Sequence, residues 1–365
     1  MNNDSFKLPF NLKASVFLIG FLALVILLYI ARSIVVPIVF AIIIAIVLHP
    51  VVNFLVKIKI NRVVAISITI LATFMVIAAF GALFISQVSR FSDTLPDLID
   101  NFTHALNQAI SWVSGNFEIR PQKIHAWIAK TQGELINTSG AAIGQTLVIL
   151  GNGLVILFLI PVYIFLILFY HPLLLGFIHR IFGEGDQIKV SAIISQIKTV
   201  IQRYLVGLVI EAGIMATLNT TVLLILGIPY AFLLGIISAV VNVIPYIGGL
   251  VGVALPMMVA LATKDSGWYP VYVLIGFYII QLIDNNLIVP KIVASKVKIN
   301  ALFSIIVVFA GNAIWGIPGM FLSIPLLAVL KLIFDHIEPL KPWGFLLGDT
   351  MPPILKIKNF PKMSK

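Results

Sequence analysis

The sequence predicts an all-helical protein that crosses a membrane several times, with about eight membrane segments. Of the 365 residues, 60% are hydrophobic and only 10% are charged, whereas soluble domains average about a quarter charged residues. Several windows of about 20 apolar residues are long enough to cross a hydrocarbon core. Two of the longest apolar stretches are interrupted by proline and glycine, at Asn242–Gly249 and Gly311–Gly319.

Composition also excludes several classes of function. There is no cysteine, and the six histidines include no pair at helical ligand spacing, so neither disulfides nor a metal site are expected. The net charge of +10 fits cytoplasmic loops rich in Lys and Arg better than nucleic-acid binding. No phosphate-binding loop, nucleophile elbow or zinc-protease helix occurs. We therefore expect neither an enzyme nor a bound cofactor.

The N-terminal region, residues 1–88, contains three predicted spans: Lys13–Ala31, Ile34–Val56 and Val63–Val88. The first is too long for the apolar part of a signal peptide and lacks a small-residue cleavage site, so we interpret it as a retained helix. Residues 89–145 form a polar, partly helical lobe outside the lipid. Its apolar residues keep helical spacing from Leu95, with Thr94 as the expected cap and Pro96 in the first turn.

Residues 146–335 form the predicted transport core, followed by a basic cytoplasmic tail, 336–365. A fourth span, Thr146–Tyr170, ends at a His-Pro pair. The amphipathic segment 186–204 is typical of a helix at the membrane interface or against another subunit. The rest of the core comprises spans Tyr204–Leu226 and Trp268–Ile288, a loop at 289–300, and interrupted regions 230–263 and 301–335.

Charge favours a topology in which each interrupted region is a re-entrant hairpin. With the N-terminus inside, that topology places 18 of the 24 Lys and Arg residues in the cytoplasm. If both regions crossed as single helices, Lys291, Lys296 and Lys298 would lie outside, against the positive-inside rule. One span separates the hairpins, so they enter from opposite faces, and both termini are cytoplasmic. Opposed hairpins indicate an inverted repeat, as in many secondary carriers. A competing internal match aligns Gly227–Leu233 with Gly316–Leu322.

Polar residues within this apolar core are the candidate site. Glu211 lies inside the fifth span, where a carboxylate costs a few kcal/mol on insertion scales. It is either a proton or cation site or a structural partner of another helix. Near the end of the sixth span, Gln281 and Asn285 share a helix face, and Asp284 lies beside them. These polar residues are either ligands of a solute or ion, or part of a helix end that is simply hydrated. The candidate solute- or ion-binding residues, including those of the hairpin tips, are Glu211, Asn242, Pro245, Tyr246, Gly248, Gln281, Asp284, Asn285 and Asn312.

Five segments of the chain carry a resemblance to a known family. They are Val36–Pro50, Gly227–Tyr230, Asn242–Gly248, Gln281–Lys291, and Gly316–Gly319 with Ile324-Pro325. On these segments the chain resembles the autoinducer-2 exporter family of bacterial membrane proteins, over nearly its whole length. That family often has Glu where this chain has Asp284.

The resemblance implies a polytopic helical carrier of the bacterial inner membrane that forms a homo-oligomer, plausibly a pentamer. Family members are linked to export of autoinducer-2, a signal in quorum sensing, and others to Na⁺(Li⁺)/H⁺ exchange. The sequence therefore favours a secondary transporter or exporter of a small polar solute. An antiporter, a passive channel and a non-transporting membrane scaffold stay open. Expected partners are membrane lipids, the solute and H⁺ or Na⁺, with no nucleic acid.

Overall fold

A computed structural model describes residues 9–117, 158–182, 187–244, 248–293 and 299–349. Within these ranges all regular structure is helical, which confirms the predicted class. Predictions made for Pro245, Tyr246, Lys296 and Lys298, and for the lobe beyond residue 117, lie outside the described residues.

The N-terminal half begins with three helices: α1 (Phe10–Ile30), α2 (Arg32–Lys57) and α3 (Arg62–Phe117). Helix α3 is continuous over 56 residues, about 84 Å at 1.5 Å per residue. The predicted cap at Thr94 is therefore wrong. Its hydroxyl bonds to the Phe91 carbonyl and, at 2.8 Å, to the Tyr230 hydroxyl. Pro96 lies inside the helix, because the apolar stripes on either side of it run on without a break in helical spacing.

The fourth predicted span ends at a bend. Helix α4 (Phe158–Phe169) and helix α5 (His171–Phe182) meet at 63°. Pro172 occupies the second position of α5, where its missing N–H costs little. Helix α5 was not anticipated by the sequence analysis.

Helix α6 (Gln187–Ile225) is the central helix of the described structure. It joins the predicted interfacial segment and the fifth span into one helix of 39 residues, because no breaking residue separates them. It packs against α2, α5 and four helical elements of the C-terminal half. The predicted apolar stripe of residues 190–204 faces this packing, with Val190, Ile201 and Tyr204 buried. The N-terminal part of α6 therefore contacts other helices of the same chain.

The two interrupted regions both fold back on themselves. Helix α7 (Ala231–Asn242) is followed by α8 (Gly248–Gly252) and α9 (Ala254–Thr263). The hydroxyl of Ser238 on α7 donates to the Gly252 carbonyl of the returning arm, 2.5 Å away. In the second region, α11 (Ala301–Trp315) and α12 (Ile317–His336) run antiparallel about a turn at Gly316, which has a φ of 67°. A side chain is strained at that φ, so glycine fits there.

Arm lengths differ between the two hairpins. Helix α7 is about 18 Å long, too short for a hydrocarbon core of about 30 Å, whereas the 20-residue α12 is about 30 Å long. Five described helices are long and apolar enough to span, or six with the bent α4–α5 pair: Arg32–Lys57, Arg62–Thr94, Gln187–Ile225, Trp268–Ile292 and Ile317–His336. Eight segments and re-entry from one membrane face stay predictions.

The remaining elements connect and close the two hairpins. Helix α10 (Trp268–Ile283) continues as a π-helix (Asp284–Val293), so helical structure extends into the predicted 289–300 loop. After α12, a short 3-10 turn (Glu338–Leu340) leads into α13 (Lys341–Leu347). The Asn300 side chain accepts from the Phe303 N–H at the start of α11, and its amide group donates to the Leu346 carbonyl of α13. The first part of the predicted tail therefore packs against the second hairpin.

Candidate functional site

The site is centred on Asp284, at the junction between α10 and the π-helix. Its side chain is only 1% exposed. The Oδ2 atom accepts hydrogen bonds from Asn242 Nδ2 at 3.2 Å and from Gln281 Nε2 at 3.5 Å. The Oδ1 atom is buried and has no hydrogen-bond partner among the described residues. A buried polar atom of this kind is uncommon, and π-helical turns are frequent at functional sites.

The first hairpin supplies the partner of this carboxylate. Asn242 is the last residue of α7, so its amide projects from the place where the chain turns back. Gly248 lies so close to Asn242 that a Cβ atom would overlap its backbone. At Gly249 a Cβ atom would be 2.5 Å from Gln281 Oε1. Glycine at both positions thus lets the returning arm approach α7 and α10.

A second carboxylate, Glu211 of α6, lies near the first. It is 6% exposed and forms no hydrogen bond with any described residue. It is close enough to Asp284 for mutual electrostatic repulsion. Two carboxylates near one another and shielded from water are costly unless a proton or a cation neutralises part of the charge.

Of the candidate residues, the structure brings together Glu211, Asn242, Gly248, Gln281, Asp284 and Asn285. The Gln281 amide also lies 3.5 Å from Asn285 Oδ1, although Asn285 is itself exposed. Asn312 is not part of this group. Its side chain is exposed and makes no hydrogen bond to a described residue.

The second hairpin approaches the site by its returning arm, α12. Phe321 and Ile324 of α12 pack with Tyr204 and Leu208 of α6, which lie about two turns and one turn before Glu211. The tip lies elsewhere, because the Trp315 indole donates to the Leu28 carbonyl near the end of α1. Among the described residues, the two hairpin turns therefore have different neighbours.

Sequence reasoning missed Asn219, two helical turns beyond Glu211 on the same buried face of α6. It is 2% exposed, and its Oδ1 has no partner among the described residues. The signal was present in the sequence: Glu211, Met215 and Asn219 follow at steps of four, so two polar residues share one face of an apolar span.

The arrangement offers oxygen atoms for a small cation or a proton. Carboxylate and amide oxygens are the ligands that hard cations prefer. Among the described residues, no group of three or more His, Cys, Asp or Glu side chains is arranged to hold a metal ion. Both carboxylates are, by contrast, placed to exchange a proton or hold a monovalent ion.

These features define a polytopic helical membrane protein with a polar site buried among its membrane-spanning helices, a class dominated by transporters and channels. Residues 17–338 match the sequence model of the AI-2E family transporter. The chain therefore belongs to the AI-2E transporter family.

Curated relatives agree with this membership over shorter segments. The chain is 30% identical over 146 residues to Putative transport protein YrrI and 35% identical over 114 residues to Putative transport protein YueF, both of Bacillus subtilis. It is 27% identical over 128 residues to AI-2 transport protein TqsA of Escherichia coli. The matches cover 40%, 31% and 34% of this chain and 41%, 30% and 36% of the three relatives, less than half of each.

Proposed function

We propose that this chain is a secondary transporter that exports a small polar solute and couples its movement to a gradient of H⁺ or a monovalent cation. The family and its relatives support membrane transport. The name of one relative, AI-2 transport protein TqsA, suggests a solute like autoinducer-2. We further propose a homo-oligomer in the bacterial inner membrane with cytoplasmic termini.

The observation that carries the coupling proposal is the unpartnered oxygen of Asp284. The carboxylate is buried, yet only one of its two oxygens is hydrogen-bonded among the described residues. An ionisable side chain inside a membrane span is expensive and usually marks an ion or proton pathway. A bound proton or cation would satisfy Oδ1 and reduce repulsion from Glu211.

The first hairpin links this site to a conformational change. Asn242 is at the hairpin turn and Asp284 is on a different helix, so movement of the turn would break their 3.2 Å contact. An ion at Asp284 therefore has different contacts in the two positions of the hairpin. A ligand shifts a conformational equilibrium only through such a difference in affinity. This is the physical basis for coupling ion binding to solute movement.

The proximity of Glu211 favours a second candidate function, a Na⁺(Li⁺)/H⁺ antiporter. Two carboxylates that repel one another can share a proton or bind a cation, and one event displaces the other. In that case the ion would be the substrate itself.

Reconstitution tests both functions. Purified protein in liposomes is given imposed Na⁺ and pH gradients, and flux of candidate solutes, including autoinducer-2, is measured with an internal pH dye present. The exporter predicts solute flux that depends on the gradient and is lost in Asp284→Asn. The antiporter predicts that Na⁺ alone collapses the pH gradient and that Glu211→Gln abolishes this exchange. The exposed Asp265→Asn is the matched control.

Two outcomes would reject carrier function altogether. Single-channel currents in planar bilayers without accumulation against a gradient would indicate a passive channel. No flux of any kind, together with unchanged cellular function when Glu211 and Asn242 are made apolar, would indicate a scaffold.

A further inference from the structure

A second polar cluster lies away from the candidate site. It consists of basic side chains from four helices: His49 of α2, Arg62 of α3, His171 of α5 and Lys198 of α6. Lys198 Nζ donates to His49 Nδ1 at 2.8 Å. The two imidazole rings lie 4.6 Å apart, and the Arg62 guanidinium lies near both. All four side chains are partly buried. We call this group the basic cluster.

The basic cluster has no acidic partner in the described structure. Ion pairs in the described ranges join Lys331 to Asp335 and Lys341 to Glu338, both far along the chain from the cluster. The Arg62 guanidinium is held by the Leu168 carbonyl, at 2.7 Å, which carries no net charge. Lys198 donates to an unprotonated ring nitrogen of His49, so the positive charge of the cluster lies on Lys198 and Arg62, and no described carboxylate balances it. The geometry therefore calls for an anion from outside these residues.

The position of α5 indicates where that anion comes from. Helix α5 begins with His171 and leaves α4 at 63°. Its side chains Leu173, Phe177 and Ile181, at steps of four, are about 60% exposed on one face, and Arg180 lies in its last turn. A helix with an exposed apolar face and basic residues lies in the plane of the membrane interface. The basic cluster is at the start of this helix, at the level of lipid headgroups.

We propose that the basic cluster binds a phosphate group, that of an anionic lipid headgroup. Lys198 and Arg62 provide charged N–H donors, the geometry that phosphate oxygens favour. The two imidazoles bring further ring nitrogens to the same place, so the cluster gathers nitrogen atoms from four separate helices. A lipid bound there would link α2, α3, α5 and α6. This lipid-binding site is separate from the candidate ion site at Asp284.

Lipid retention tests the proposal directly. The purified full chain is placed in nanodiscs of dioleoylphosphatidylglycerol mixed with dioleoylphosphatidylcholine, and lipid retained after transfer to detergent is counted by native mass spectrometry. We expect preferential retention of phosphatidylglycerol. Lys198→Gln should weaken it about fivefold, since one basic side chain near an anionic surface contributes about 1 kcal/mol. Arg203→Gln removes a charge from an exposed position of the same helix and should change retention less than about twofold.

Further variants and controls distinguish the possible outcomes of this experiment. Lys198→Arg should retain the lipid, and His171→Gln gives a second reading if Lys198→Gln does not fold. Equal losses in Lys198→Gln and Arg203→Gln would mean diffuse surface charge and overturn the proposal. So would the absence of any preference in the unmodified chain. Binding of inorganic phosphate in pure phosphatidylcholine nanodiscs, with displacement of phosphatidylglycerol, would assign the cluster to a soluble phosphate and overturn the lipid source.

Discussion

Replacing Asp284 with Asn should make the protein more stable and less active at the same time. The substitution keeps the shape of the side chain and removes its charge. Asn242 can still donate to the remaining side-chain oxygen, and the new amide group can donate towards Glu211. The fold therefore loses little packing, while the site loses one of its two ionisable groups.

The magnitude follows from two opposing contributions. A charged Asp costs about 2.5–3.5 kcal/mol at the centre of a membrane helix on insertion scales, and we use this value for Asp284, near the end of its span, because the residue is only 1% exposed. The hydrogen bond from Asn242 weakens by about 1 kcal/mol, because bonds to charged groups contribute about 1.5–3 kcal/mol and neutral ones about 0.5–1.5 kcal/mol. The net gain is about 2 kcal/mol, which at about 2 °C per kcal/mol corresponds to a rise in Tm of about 4 °C.

Tryptophan fluorescence on heating measures this stability, since the chain has five Trp residues and no cysteine for a thiol dye. Gradient-driven flux is measured in the same preparations. The exposed Asp265→Asn should leave both Tm and flux unchanged. A lower Tm for Asp284→Asn, or flux equal to that of the unmodified chain, would refute the reasoning that a functional charge is held at a structural cost.

Three other predictions concern the hairpins and the topology. Asn242→Ala should reduce the apparent affinity for solute or ion about tenfold, because a charge-assisted hydrogen bond is lost. Asn312→Ala removes an exposed amide and should have little effect. Equal effects of the two substitutions would contradict the assignment of Asn242 to the binding site. Gly249→Ala should displace the neighbouring α10 glutamine and raise KM with little change in Tm, and a large loss of stability instead would show that the backbone cannot adjust. In single-cysteine variants, Lys296→Cys should be labelled only from the cytoplasm and Lys264→Cys only from outside, and the reverse pattern would reject the topology.

The sequence identified the interrupted helices correctly because the signal is local. Helix α11 ends just before Gly316, which has a positive φ, and the Asn242–Gly249 interval contains both proline and glycine. The break between the first two helices was predicted at Arg32 and Ser33, and it lies one residue earlier, at Ala31. Local signals also misled: Thr94 and Pro96 match the pattern of a helix start, but continuous apolar spacing on both sides keeps α3 intact.

Contacts between distant parts of the chain could not be predicted. Asn242 and Asp284 were identified separately, and nothing in the sequence indicated that two side chains 42 positions apart would form a hydrogen bond. Histidines that are scattered along the sequence provide a second example. His49 and His171 are 122 positions apart, yet their rings are neighbours because α2 and the α4–α5 bend meet at one end of the bundle.

The contact between Gly311 and Gly319 constrains how the second hairpin can move. The backbones of α11 and α12 touch there, and Ser323 of α12 donates to the Val307 carbonyl of α11 at 2.8 Å. Separating the arms would lose this close backbone packing and the hydrogen bond between the two helices. Any conformational change of this protein must therefore move α11 and α12 together as one rigid unit. The hinge of that movement would lie where the Asn300 side chain is hydrogen-bonded to α13.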